Sequence, residues 1–198
     1  MQAKIKELSG FHKTLTEWGI QKKLAELKDN ASTTDPFYDV LVFNKFKDIL
    51  GGNIRKLVTG SAPISRDILD FLKIAFCCPI MEGYGQTESA GAVTISQSID
   101  PESGHVGASF PAVEIKLIDV LDMDYTTNDV DEKGQSRPRG EICYRGNSVF
   151  KGYYRQPDLM KEVVDSDGWV HSGDIAQLDP VKGVFRIIDR KKNIFKLS

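Results

Sequence analysis

What the sequence has little of narrows its class first. Its 198 residues include three cysteines, two of them adjacent (Cys77 and Cys78). Three cysteines cannot build a disulfide framework, and their spacing makes no Cys-x-x-Cys metal site, so the chain fits a reducing compartment. Net charge is nearly absent: 26 Lys and Arg against 28 Asp and Glu leave a formal −2. That balance gives no support for nucleic-acid binding as the main activity. Long hydrophobic runs are missing too. The longest, Ile74 to Met81, contains Pro79 and falls far short of the roughly 20 apolar residues needed to cross a bilayer. No secretory signal opens the chain, and its ending Lys196-Leu197-Ser198 does not spell the peroxisomal Ser-Lys-Leu address. Histidine is scarce: His12, His105 and His171 share no metal-ligand spacing, which speaks against a zinc site. The acidic stretch 119–132 lacks the glycine and closing glutamate of an EF-hand loop and reads as a solvated loop. What is present, 40% hydrophobic and 27% charged residues, is an ordinary globular profile. It is enough for a sizeable core, as one domain or two small ones.

Helical periodicity covers residues 3–28, with apolar positions at Ile5, Leu8, Phe11, Leu15, Trp18, Leu24 and Leu27. Gly10 and Gly19 interrupt the pattern, which predicts two or three short helices. The six lysines of this segment read as a solvated face rather than a membrane surface. Residues 30–36 form a loop. A helix over 36–50 then ends at Gly51-Gly52, a strand covers 54–60, and a new helix opens at Ser65, a good N-cap. The apolar run 78–81 reads as a second buried strand. This order predicts an α/β fold: part of a mostly parallel sheet with flanking helices. Loops 59–63 and 83–88 would sit at the carboxyl ends of neighbouring strands, facing one ligand. After residue 104 the helical signal vanishes. Short strands at 113–119, 140–146 and 184–189 between Gly, Pro and Asp turns predict a small antiparallel β-barrel-like subdomain, with a boundary near 100–104.

The stretch "MEGYGQTE" (81–88) carries the first chemistry. Gly83 and Gly85 suit a sharp turn or a close approach, Tyr84 offers a flat ring, Thr87 a hydroxyl and Glu88 a charge able to hold a metal. A tight turn with an exposed aromatic residue would use the same letters.

Three motifs in order decide between those readings. "GYGQTE" (83–88), "GWVHSGD" (168–174) and "IIDRKKNIFKLS" (187–198) resemble those of the adenylate-forming enzymes: acyl-CoA synthetases, luciferases and peptide-synthetase adenylation domains. "TGSAPIS" (59–65) and "FKGYYRQP" (150–157) resemble the eukaryotic long-chain fatty acyl-CoA synthetase branch. Peptide-synthetase domains usually carry proline before the Thr-Glu pair, where this chain has Gln86. The likeness runs from about residue 40 to the end and takes in the helices before it. Against the family pattern, no Ser/Thr/Gly-rich phosphate loop precedes residue 59, and no C-terminal domain with an adenylation lysine follows residue 198. The chain therefore reads as the second half of the large N-terminal domain plus the hinge, and the isolated piece is expected to be inactive. The expected division is a helical and α/β portion (1–103), a β-rich subdomain (104–185) and a hinge motif (186–198).

The resemblance implies a reaction and its residues. Such enzymes join a carboxylate to ATP, release pyrophosphate, and pass the acyl group from AMP to the CoA thiolate. Tyr84 would stack on adenine between Gly83 and Gly85, and Gly60, Ser61, Ala62 and Pro63 would wall the adenine pocket. Thr87 would bond the α-phosphate and Glu88 would hold Mg2+. Asp174 would accept both ribose hydroxyls, and Arg190 would contact ribose and counter phosphate charge. Lys192 would be the hinge about which the C-terminal domain turns, with Glu82 and Gln86 flanking the site. The implied substrates are fatty acid, ATP and CoA, with no nucleic-acid partner. The implied location is the cytoplasmic face of the endoplasmic reticulum, mitochondrial outer membrane or peroxisome, reached through segments outside this chain. An aryl- or medium-chain acid ligase and a luciferase-like adenylase stay open as alternatives. So does an adenylate-binding pseudo-enzyme, against which the presence of Thr87, Glu88, Asp174 and Arg190 speaks.

Overall fold

A computed structural model describes residues 9–191. They fall into two compact units. Among the described residues, one holds residues 9–59 with Ile64–Met81 and Gln97–Gly104; the other holds Gly60–Pro63, Glu82–Ser96 and residues 105–191.

In the first unit, α1 (Gly10–Asn30) is one continuous helix, where a break at Gly19 was expected. Packing explains the difference. A Cβ on Gly19 would lie 2.7 Å from Tyr38 Cδ1 and 3.3 Å from Phe43 Cε2, so the missing side chain admits a neighbouring helix. That contact outweighs the ~1 kcal/mol helix penalty of glycine. Asp35 opens the next helical run by accepting from the N–H groups of Phe37 and Tyr38, with Pro36 in the first turn. The run comprises α2 (Pro36–Tyr38), a π-helical stretch (Asp39–Phe43) and α3 (Asn44–Asp48). Strand β1 (Leu57–Thr59) is shorter than expected, and its first N–H donates to Pro79 O at 3.0 Å. Helix α4 (Arg66–Phe76) starts at the expected cap, the Ser65 hydroxyl accepting from Ile68 N–H. Leu27, Phe43, Phe71 and Ile74 form the core. Lys23 is buried among them: its Nζ donates to Ile74 O at 2.8 Å, pairs with Asp39 and lies 4.2 Å over the Phe43 ring.

Strand β2 (Ile80–Gln86) begins in the first unit and ends in the second, so "GYGQ" is strand rather than loop. A 3-10 turn (Thr87–Ser89) leads to β3 (Gly91–Ile95), and β4 (Ala108–Ser109) follows. The β2–β3 and β3–β4 pairings are antiparallel, unlike the mostly parallel sheet expected. The link between β2 and β3 is too short for the crossover a parallel pair requires. Gly107, at φ +79, could carry no side chain, because a Cβ would fall 1.9 Å from Ile95 O.

The second sheet is antiparallel throughout, in the order β5 (Val113–Ile118), β6 (Arg139–Gly146), β7 (Val170–Asp179), β8 (Val184–Arg190). Helix α5 (Pro157–Val163), β3, β4 and β7 carried no clear pattern in the sequence. Buried Val93, Val113, Tyr144 and Val170 form one core cluster here, and Ile142, Ala176 and Phe185 another. The acidic stretch is tied down in part: Asp129 accepts from Thr126 and from Arg139 Nε at 2.7 Å. Among the described residues, no helix is long and apolar enough to cross a membrane.

Candidate functional site

The second unit concentrates its polar chemistry around one carboxylate. Asp174 lies mid-strand in β7, opposite Arg190 of β8, and is only 2% exposed. Burying a carboxylate is costly unless donors surround it, and three do. Tyr84 Oη donates to Oδ2 at 2.8 Å, Gln86 Nε2 donates to the same oxygen at 2.8 Å, and Arg190 Nε donates to Oδ1 at 2.5 Å. The Asp174 N–H donates to Ser172 Oγ at 3.0 Å, and that hydroxyl donates to Ile142 O at 2.6 Å, fixing the strand on its neighbour.

Gln86 is held from both ends of its amide. Its Nε2 also donates to Ser172 O at 3.0 Å, and its Oε1 accepts from Tyr144 Oη at 3.1 Å. A residue expected only to flank the site thus joins β2, β6 and β7. Burial, and then the charge of Asp174, push the Tyr84 phenol well above its ordinary range, so it acts as a donor. Burial and the nearby Glu88 do the same to Tyr144.

The glycines of β2 serve close strand approach. A Cβ on Gly85 would lie 1.9 Å from Gly91 O, and one on Gly60 would lie 2.9 Å from Gly83 O. The second contact puts the turn holding Gly60, Ser61, Ala62 and Pro63 beside Gly83, although the expected second loop is strand β2 there. Ser61 takes φ +67 there. Glu82 is buried, and its backbone pairs with Ser96: Glu82 N–H to Ser96 Oγ at 2.9 Å and Ser96 N–H to Glu82 O at 2.8 Å.

Thr87, exposed, and Glu88, half-buried, occupy the 3-10 turn. Glu88 is braced from "FKGYYRQP": its carboxylate accepts from Tyr153 Oη, and its carbonyl accepts from Phe150 N–H at 2.9 Å. Burial and that carboxylate push the Tyr153 phenol up to about 12. Lys192 lies outside the described residues. Sequence reasoning missed Tyr144, Tyr153 and Ser172. Tyr153 stood inside a quoted motif, but nothing in a single sequence said that its hydroxyl meets Glu88.

A family model described as AMP-binding enzyme matches residues 21–154. The chain is 49% identical over 169 residues to "Long chain acyl-CoA synthetase 7, peroxisomal" of Arabidopsis thaliana, covering 85% of this chain and 23% of that protein. It is 47% identical over 184 residues to "Long-chain-fatty-acid--CoA ligase 6" of Homo sapiens, covering 93% of this chain and 25% of that protein. Among solved structures it matches the A domain of a carboxylic acid reductase from Segniliparus rugosus, in complex with AMP and a co-purified carboxylic acid. That match has a TM-score of 0.63 and 28% identity, covering 88% of this chain and 25% of the other. The chain thus spans about a quarter of the length of the curated relatives it matches.

Proposed function

We infer the function from one premise: this chain belongs to the AMP-binding enzyme family. The reading is a long-chain fatty acid–CoA ligase, in which this chain contributes the nucleotide site. The observation that carries it is the Asp174 carboxylate, held in one orientation by Tyr84, Gln86 and Arg190 from two other strands. The names of the relatives supply the acid and the thiol.

In this reading the Asp174 oxygens take the two ribose hydroxyls, exchanging some of their present donors for them. Arg190 stays beside them and counters phosphate charge. Tyr84 presents a ring face to adenine, a contact worth about 1–3 kcal/mol by analogy with base stacking. The turn Gly60, Ser61, Ala62 and Pro63 walls that pocket, with Gly83 and Gly85 giving the backbone room and Glu82 and Gln86 bordering it. Thr87 donates to the α-phosphate. Glu88 fits Mg2+, which is commonly held through one or two carboxylates together with substrate phosphates. Bound there, the ion would neutralise charge as phosphorus is attacked. Tyr153 aims the Glu88 carboxylate. Lys192 is the hinge.

The wider organisation belongs to the same reading. Residues 1–103 form the α/β portion of the AMP-binding domain, 104–185 the β-rich subdomain and 186–198 the hinge motif. A barrel-like form of the subdomain is supported by β4, which lies against both β5 and β8, and by the Gly107–Phe185 bridge. ATP, CoA and a fatty acid are the substrates. Association with an organelle membrane, on its cytoplasmic face, would come from other parts of the protein. One relative's name places that relative in the peroxisome. The test is acyl-chain profiling of the whole enzyme with ATP and CoA. Palmitoyl-CoA formation is expected, and turnover of benzoate or coumarate in place of palmitate overturns the substrate assignment.

A further inference from the structure

A second cluster in the β5–β8 sheet takes no part in the nucleotide reading. Glu141 and Cys143 on β6 and His171 on β7 bring a carboxylate oxygen, a sulfur and a ring nitrogen within 4.8 Å of one another. Glu141 and Cys143 are two apart on β6, on either side of a break in the β6–β7 register. Cys143 pairs with His171 across the ladder. Cys143 Sγ lies 3.6 Å from His171 Nδ1, and the same nitrogen lies 3.6 Å from Glu141 Oε2. Cys143 and Glu141 are buried and His171 half-buried, so strand pairing has already gathered and largely desolvated three metal-ligating groups.

We propose that Glu141 Oε2, Cys143 Sγ and His171 Nδ1 form a binding site for a borderline-soft divalent cation, best matched by Zn2+. The separations fit. Zinc bonds of about 2.3 Å to sulfur and about 2.0 Å to nitrogen, at tetrahedral angles, put those two ligand atoms about 3.5 Å apart. A thiolate, an imidazole and a carboxylate also select against Mg2+, which takes oxygen ligands alone. The surrounding groups fit as well. His171 Nε2 is 3.4 Å from Asp165 Oδ2, the outer carboxylate that orients a ligating histidine. Asp165 is itself anchored, its Oδ1 accepting from Asp167 N–H at 3.0 Å and Trp169 N–H at 2.8 Å. Glu141 keeps its other oxygen on Gly173 N–H at 2.9 Å. Three protein ligands leave a fourth position for water.

Lys191 is the counter-argument. Its Nζ lies 3.0 Å from Glu141 Oε2, and an ordinary ion pair would explain that carboxylate's burial. The ammonium and the metal ion compete for one oxygen. Lys191 has 40% of its side chain exposed and can turn to solvent, whereas the three ligands are set by strand pairing. Binding also releases the Cys143 thiol proton to solvent. Histidine spacing along the chain spoke against zinc because two of the three ligands are not histidines and the third comes from another strand.

The test uses the 198-residue chain with Co2+ and Zn2+ as probes. One Co2+ is expected to bind per chain with thiolate-to-cobalt charge-transfer absorption in the near ultraviolet, and Zn2+ is expected to displace it. Cys143→Ser should abolish that absorption. His171→Asn should weaken binding at least about a hundredfold, since even outer partners of a metal ligand are worth 10–100-fold. Lys191→Met should tighten it, and the Cys77→Ser/Cys78→Ser double variant should leave it unchanged. Absence of the charge-transfer band overturns the proposal, as does its loss in the Cys77/Cys78 variant. Should Cys143→Ser fail to fold, His171→Asn decides alone, because unchanged affinity there removes the site.

Discussion

The hydroxyl of Tyr84 lies 2.8 Å from Asp174 Oδ2, joining two motifs that stand 90 residues apart in the chain. Through that bond and the parallel one from Gln86, β2 and β7 share a single buried carboxylate. Tyr84→Phe keeps the ring and removes the donor. Loss of a hydrogen bond to a charged group should lower stability by about 1.5–3 kcal/mol. Urea unfolding of the chain measures it, and a change below about 0.5 kcal/mol would mean that Asp174 does not depend on Tyr84.

Gly85→Ala tests the β2–β3 register. The added methyl would sit 1.9 Å from Gly91 O and 2.7 Å from Ala92 Cα, and backbone cannot yield as a side-chain tip can. We expect the variant to lose about 3 kcal/mol or more through overpacking. A circular-dichroism melt matching the parent would contradict the register.

Lys23→Met strands Asp39 beside an apolar core, since Lys23 is fully buried and Asp39 is its partner. Removing one member of a buried pair costs about 3–5 kcal/mol. Adding Asp39→Asn should recover part of that loss, because the uncompensated charge goes with it. Denaturant midpoints of both variants check the sign of the second step.

Acid should weaken the fold partly through Asp35. The Lys22 ammonium, and then the Tyr38 N–H, hold its carboxyl below the ordinary 3.8. A folded value lower than the unfolded one gives stability that is present above about pH 4 and is lost as pH falls through the folded value. Asp35→Asn should therefore flatten the stability profile below about pH 4 while leaving its shape near neutrality unchanged. An equally steep acid limb in the variant would exclude this origin.

On the proposed ligase function, Asp174→Ala and Lys192→Pro in the full-length protein should separate two roles. If Asp174 holds ribose as proposed, its loss removes a charged contact worth about 1.5–3 kcal/mol, so Asp174→Ala should slow both half-reactions about ten- to a hundredfold. Proline at 192 would fix φ at the proposed hinge and so block the domain rotation assigned to it. Pyrophosphate exchange should then stay near normal while thioester formation collapses. Equal falls in both half-reactions for Lys192→Pro would remove the hinge assignment.

The family motifs, the Ser65 cap and strands β5, β6 and β8 were readable along the chain, because each rests on residues near one another in it. Caps and two-residue alternation are local quantities, and they survive whatever the fold does. Tertiary structure decided what glycine means. Gly19 reads as a helix breaker, yet Tyr38 and Phe43 fill the space its side chain would take, and the helix runs through it. Gly85 reads as a loop residue, yet it lies within a strand that approaches Gly91 too closely for a methyl group. Tertiary structure also chose the partners of each polar group. Asp174 stood out in its motif, but its donors Tyr84 and Gln86 lie 90 and 88 residues away. Cys143 and His171, 28 residues apart, meet only because β6 and β7 are antiparallel neighbours in that register. A shift of one residue would turn every side chain of a strand to the other face, so these contacts exist only in the paired sheet.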